Sequence, residues 1–373
     1  MNHSELFFLG LDVDDKKFHG FALSILSGES FDFCCEPNQK ALEKQLAQRK
    51  IHPKNLKICY EATYLGFSLC RSLREAGFHC DVIAPSLIPQ VKGDKVKTDR
   101  LDAEKLARYY ASSLLTVVHV PDLEQEMERD ILRSRKFIVD QMSATKKHIN
   151  SLTRRLGWSY KSEEGAKKSW TNSYIYWLKA KVRSSDSSAL KLNLEILLRQ
   201  YESCAERVFE YDHQIDKLAQ SDLYREKVRA LSTYRGIDQQ TALVLVTELG
   251  DIKRFAHPKQ LASYAGLDMI ERSSGGCEKK FGISKDGNRF IRTAVVESCQ
   301  TASLPVKVSR SLTLRRLDVE ARYIDIADRC MGRLNKKSRR LLARGKQRNK
   351  VKVACAREML GFIWETLRAA DTI

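Results

Sequence analysis

Residues 6–36 read LFFLGLDVDDKKFHGFALSILSGESFDFCCE, and the fold turns on how this stretch and its continuation are read. LFFLGLDV (6–13), HGFALSIL (19–26) and FDFCCE (31–36) are short apolar runs separated by polar turns such as SGES, which predicts three consecutive antiparallel strands. The periodicity then changes. NQKALEKQLAQR (38–49) has helical spacing, KICYEAT (57–63) reads as a strand, and GFSLCRSLREAG (66–77) reads as a helix stopped by glycine. FHCDVIAP (78–85) returns to a strand, and KTDRLDAEKLA (97–107) opens another helix. Three antiparallel strands followed by strand and helix alternation is the order of the ribonuclease H architecture. Residues 1–122 are therefore expected to form an α/β domain of that kind.

From about 123 to 220 the chain reads as almost entirely helical. Ile131, Ile138, Met142, Ile149, Leu152 and Leu156 fall on one stripe, and Leu194, Leu197, Tyr201, Cys204, Val208, Tyr211, Ile215 and Leu218 alternate spacings of three and four. This heptad seam fits either an intramolecular helical hairpin or a coiled coil joining subunits. A polar and aromatic insertion near 160–190 is expected at the hairpin tip, completing a helical segment at 123–225. A mainly helical domain is expected over 226–373. LSTYRGIDQQTALVLVTELGD (231–251) suggests a helix-hairpin-helix turning at Arg235, Gly236 and Ile237, with Asp238 where such motifs usually carry a second glycine. A stretch rich in Gly, Ser, Lys and Arg, DMIERSSGGCEKKFGISKDGNRFIRTAV (268–295), reads as a loop.

The balance of charge restricts the partners. The 373-residue chain has 65 Lys and Arg against 47 Asp and Glu, a net +18, which favours a polyanion through phosphate contacts and counterion release. Nucleic acid is the first expectation and an acidic membrane surface the second. Residues 307–350 hold 15 Lys and Arg against 4 Asp and Glu, so +11 of the excess lies in one segment; Lys336, Lys337, Arg339 and Arg340 are its candidate nucleic-acid contacts. With 43% hydrophobic residues the chain is not disordered, and no apolar run approaches the roughly 18–20 residues of a membrane span. The N-terminus lacks a basic region ahead of its short apolar run, so a soluble, unexported, cytoplasmic protein is expected. Ten scattered cysteines with no C-x-x-C pair fit reduced thiols, mostly in cores.

Four carboxylates stand out. In a ribonuclease H-like fold the first and fourth strands are central neighbours, and a later helix packs beside their ends. Asp12 lies on the first strand, Glu61 on the fourth, and Asp99 and Asp102 share one helix face through their spacing of three. Carboxylates gathered in this way repel unless a divalent cation neutralises them. Oxygen ligands favour Mg²⁺, with Mn²⁺ able to substitute, and two such ions clamp both oxygens of a phosphodiester displacement. Taken singly, Asp12 also reads as an exposed strand-end acid beside Asp14 and Asp15, Glu61 as a strand-end cap, and Asp99 as a helix cap. Capping needs only one of Asp99 and Asp102.

GLDV with Asp12, CYEAT with Glu61, KTDRLDAEKLA with Asp99 and Asp102, then LASYAGLD, SSGG and GISKDGNRFIRTAV together resemble the DEDD transposases of bridge-RNA-guided insertion sequences, whose relatives include the pilin-gene invertases. The resemblance implies a Holliday-junction-resolvase-like N-terminal domain, a coiled-coil segment and a C-terminal transposase domain with a nucleophilic serine, which maps to Ser274 with Ser273 adjacent. It further implies recombination of donor and target DNA specified by a structured noncoding RNA. The implied assembly is a homo-oligomer, dimer or tetramer, in which the carboxylates of one subunit meet the serine of another. The setting it implies is a bacterial or archaeal cytoplasm, at the nucleoid. Lys285, Arg289 and Arg292 follow as expected phosphate or RNA contacts. The alternatives are an RNA-independent site-specific invertase, a Mg²⁺-dependent junction nuclease that activates water, and a non-catalytic nucleic-acid-binding protein.

Overall fold

The computed structural model describes residues 5–89, 98–165, 168–274 and 277–371, with 271–280 described by backbone alone. It divides into two compact units, Met1–Pro121 and Asp122–Ile373.

The first unit is built on a six-stranded mixed sheet. Strands β1 (Phe7–Val13), β2 (Phe18–Ser24) and β3 (Ser30–Cys35) form the antiparallel meander, and helix α1 (Gln39–Gln48) follows. Strand β4 (Leu56–Glu61), helix α2 (Ser68–Glu75), strand β5 (His79–Ile83), helix α3 (Asp99–Ala111) and the short strand β6 (Val117–Val118) complete the unit. The strand order is β3-β2-β1-β4-β5-β6, with β1, β4 and β5 mutually parallel and β6 antiparallel at the far edge. This is consistent with a ribonuclease H-like domain. Strand β2 ends two residues short of the expected Leu26, because the chain turns between Ser24 and Glu29 with Gly28 at φ +74°. Ile25 and Leu26 are left exposed in that turn.

Side-chain alternation gives the sheet two different faces. Phe7, Leu9, Leu11 and Val13 of β1 join Leu56, Ile58 and Tyr60 of β4 in a core with Leu42 and Leu46 of α1 and Cys70 and Leu73 of α2. The opposite face is covered by α3: Phe21 packs with Ala103 and Ala107, while Cys59 and Ile83 pack with Leu106. Gly10 lies on this second face. A Cβ there would collide with the Ala103 carbonyl oxygen and stand 2.6 Å from the Ala107 nitrogen, so glycine lets the helix backbone rest on the strand.

Among its described residues the second unit is helical apart from one hairpin. Helix α4 (Leu123–Arg155), α5 (Tyr160–Glu164), α6 (Asn172–Ser184) and α7 (Ser188–Ala219) make up the segment that holds the heptad seam. Arg135 meets Asp212 at 2.5 Å and the Lys146 ammonium lies 5.2 Å from the Tyr201 ring centre, so α4 and α7 run antiparallel within one chain. The insertion caps this hairpin with its own core, where Tyr174, Trp177, Leu178 and Val182 pack with Ile149, Leu152, Leu194 and Leu198. Next come α8 (Arg225–Ser232), α9 (Gln239–Leu249) and α10 (Pro258–Tyr264), then strands β7 (Met269–Ser274) and β8 (Cys277–Ile283). Helices α11 (Arg289–Ser298), α12 (Arg310–Arg315), α13 (Ala321–Ala343) and α14 (Arg348–Ala370) close the chain. The expected helical hairpin between α8 and α9 is present, and Asp238 has a purpose in it: its carboxylate caps α9 by accepting from the Thr241 N–H at 2.8 Å. Gly236, at φ +91°, has no room for a Cβ against the Ser298 carbonyl. No helix among the described residues is long and apolar enough to cross a membrane.

Candidate carboxylate site and serine hairpin

The register of the sheet places the first two acids. Leu11 pairs with Tyr60 across the parallel β1–β4 ladder, which ends there, so Asp12 and Glu61 follow at the same ends of the two strands. Asp12 shares the face of Gly10, and Glu61 that of Cys59, which is the face covered by α3. Helix α3 runs with Ala103 and Ala107 over Gly10, and its first turn carries Asp99 and Asp102. That turn reaches the same strand ends, because Asp99 Oδ2 is 3.2 Å from Nε2 of His19, the register partner of Asp12 on β2. A second tie fixes the helix start: Arg100 pairs with Asp32 of β3 at 3.5 Å.

Asp99 is not the cap of this helix. Thr98 is, its hydroxyl accepting from the Leu101 N–H at 3.3 Å, so both aspartates are spared that task. Beneath the site the thiol of Cys59 is buried, and burial, followed by the charges of Asp81 and Glu61, pushes its pKa up; it stays a neutral spacer. Further along the same face Tyr110 donates to Asp81 at 2.6 Å, and burial and that bond raise the phenol's pKa well above its ordinary value.

The donor set suits a hard divalent ion. All four acids offer oxygen only, and the close approach at Gly10 brings the helix bearing two of them onto the strands bearing the others. Among the described residues no three His, Cys, Asp or Glu side chains are already gathered in metal-site geometry. Two neighbours escaped the sequence reading, His19 and Cys34. Their signal was the period-two pattern of β2 and β3 combined with the hairpin register, which aligns both with Asp12.

The expected loop over 268–295 is instead a two-stranded hairpin followed by helix α11, which opens at Arg289 behind the Asn288 cap. Ser274 ends β7 and pairs with Cys277 of β8, Ser273 pairs with Glu278, and the side chain of Ser274 and the following Gly275 lie outside the described residues. The base of the hairpin is locked. Gly287, at φ +150°, leaves no room for a Cβ against the Tyr264 carbonyl, 2.5 Å away, and Ser284 donates to Asp268 at 2.7 Å. Asn288 caps α11 through the Phe290 and Ile291 N–H groups and donates to Glu248 at 2.7 Å. Glu248 is buried and holds Arg133 of α4 through two bonds of 2.9 and 3.0 Å. Burial opposes the Arg133 charge, but the bonds to Glu248 outweigh it and raise the guanidinium pKa.

The basic candidates divide. Lys285, Arg289, Lys336, Arg339 and Arg340 are exposed. Arg292, by contrast, donates to the Ala265 carbonyl at 2.9 Å, and Lys337 is paired with Glu358 at 2.6 Å. These two side chains have partners within the chain.

A mixed sheet in this order, with Asp12 and Glu61 near the same ends of the neighbouring parallel strands β1 and β4, is consistent with the ribonuclease H-like domain of a DEDD enzyme that acts on DNA. The model of the Transposase IS116/IS110/IS902 family matches residues 228–312, and a model described as Transposase, of the IS110 DEDD type, matches residues 9–156. The y4qE transposase homologue of Sinorhizobium fredii is 34% identical over 90% of this chain and 81% of its own length. The transposase for insertion sequence element IS1533 of Leptospira borgpetersenii is 27% identical over 91% of this chain and 98% of its own. The transposase for IS1111A of Coxiella burnetii is 26% identical over 71% of each. The chain belongs to the IS110 family of insertion-sequence transposases, enzymes that bind DNA and catalyse its cleavage and rejoining.

Proposed function

We propose that this transposase cuts and rejoins donor and target DNA under the direction of a structured noncoding RNA, with Ser274 as nucleophile and Asp12, Glu61, Asp99 and Asp102 as ligands for Mg²⁺. The observation that supports the reading best is the β1–β4 register, which ends at Leu11–Tyr60 just before Asp12 and Glu61, together with the contact of Asp99 at the head of α3 with His19, the register partner of Asp12. Mg²⁺ or Mn²⁺, when bound, supplies positive charge to the phosphate oxygens as the displacement proceeds.

The chain's own part is nucleophilic. The Ser274 oxygen attacks phosphorus and forms a new P–O ester, while the bond from phosphorus to one deoxyribose oxygen breaks. That oxygen leaves with the electron pair and takes up a proton, and the serine proton passes to solvent. The resulting ester conserves the phosphodiester for rejoining. Asp12 and Glu61 sit on rigid strands, which suits ligands that must hold their separation through the reaction. Lys285 and Arg289, exposed beside the hairpin base, are proposed as backbone contacts, and the working form is proposed as a homo-oligomer, dimer or tetramer.

The test is a covalent-adduct assay on labelled DNA carrying the element end. Ser274→Ala should lose the protein–DNA adduct and Asp102→Asn should lose it too. An adduct retained by Ser274→Ala transfers the role to Ser273 or another side chain, and cleavage without any adduct identifies a water-using nuclease. For guidance, RNA co-purified with the protein should be one discrete species. Random fragments, with recombination surviving ribonuclease treatment, would make this an RNA-independent invertase.

A further inference from the structure

His19 reaches the carboxylates from a strand that bears none of them. It stands opposite Asp12 in the β1–β2 register and opposite Cys34 in the β2–β3 register, so Cys34, His19 and Asp12 follow one another across three strands. Its side chain is 16% exposed, against 58% for Asp99. Nε2 lies 3.2 Å from Asp99 Oδ2, and Nδ1 lies 3.0 Å from Cys34 Sγ. One placement of hydrogens satisfies both contacts: Cys34 S–H donates to Nδ1, and Nε2–H donates to the Asp99 carboxylate. The reverse tautomer would set a lone pair against a carboxylate oxygen.

This arrangement answers a mechanical problem. Asp99 is the first residue of α3 and more than half exposed, so packing alone leaves its side chain free to rotate, whereas a useful ligand must be held in place. We propose that His19 is the positioning residue for Asp99, holding Oδ2 and leaving Oδ1 for the ion, and that Cys34 fixes the imidazole tautomer able to do so. Hydrogen bonds that orient a metal ligand from behind typically contribute 10–100-fold in affinity. The inference rests on the carboxylate reading of the site.

The experiment titrates Mn²⁺ into the full-length protein without DNA and follows free ion by electron paramagnetic resonance, alongside melting curves. His19→Ala should weaken Mn²⁺ binding by about 10–100-fold, and His19→Gln, whose amide N–H can replace Nε2–H, should recover most of it. Cys34→Ala should fall between wild type and His19→Ala, and Cys34→Ser, which keeps a donor, should resemble wild type. Wild-type affinity in His19→Ala, with Asp102→Asn impaired, would overturn the proposal. So would His19→Gln binding as weakly as His19→Ala while melting like wild type, since a donor at that place would then not matter. Wild-type affinity in Asp102→Asn would instead remove the carboxylate site itself, and the proposal with it.

Discussion

Gly10 shows what a single residue decides here. Its missing side chain is the space occupied by the α3 backbone at Ala103 and Ala107. Gly10→Ala forces the helix away or strains the strand, and overpacking of this kind costs about 1–3 kcal/mol. The expected outcome is a lowered melting temperature together with weaker Mn²⁺ binding, because the displaced helix carries Asp99 and Asp102; a folded variant with unchanged ion affinity would show that the close approach does not set the site. At this scale the strands that carry Asp12 and Glu61 are legible in the sequence, since LFFLGLDV and KICYEAT mark β1 and β4. His19 is not. Its relevance depends on a hairpin register fixed by the turn, and no local pattern in FHGFALS distinguishes it from a solvent-facing histidine.

Elements were read better than their partners. The heptad positions of α7 were visible as a 3–4 alternation, yet the period states only that the stripe will be covered. The Arg135–Asp212 contact and the shared core at Ile149 and Leu194 supply the answer, an antiparallel partner in the same chain. The β7–β8 hairpin was missed because its Gly-, Ser- and Lys-rich composition carries turn signals and little of the β-branched alternation that marks strands. The pair α13 and α14 offers a test at this scale. Burial alone would raise the Glu358 pKa, but hydrogen bonds from Arg333 and Lys337 outweigh it and hold the carboxyl below its ordinary value. A depressed acid stabilises the fold above its unfolded pKa, and that stabilisation is lost as pH falls through the folded value. Glu358→Gln should therefore cost about 1–2 kcal/mol near neutrality, and urea midpoints of variant and wild type should converge as pH drops below the glutamate range. A gap independent of pH would assign the loss to packing.

For the whole molecule the governing quantity is the +18 charge, and its distribution makes a sharper statement than its sum. Lys336, Arg339 and Arg340 are exposed and spaced by three and four, so they form one face of α13; Lys337, one residue along, faces α14 and is spent on Glu358. Composition could not separate these neighbours, because KKSRR reads as a uniform basic run until a helix phase is imposed on it. The two kinds of lysine should part in a salt titration. Each side chain that meets a phosphate contributes about 0.9 to the slope of log K against log salt for duplex DNA. Replacing Lys336, Arg339 and Arg340 together by Gln should flatten that slope by nearly one unit for every phosphate left without its cation, measured by fluorescence anisotropy over roughly 50–200 mM salt, with the melting temperature unchanged. Lys337→Gln should do the converse, lowering the melting temperature and leaving the slope intact. A triple variant with the wild-type slope would reduce this face to a solvated surface and move the electrostatic contact to other basic residues of the chain.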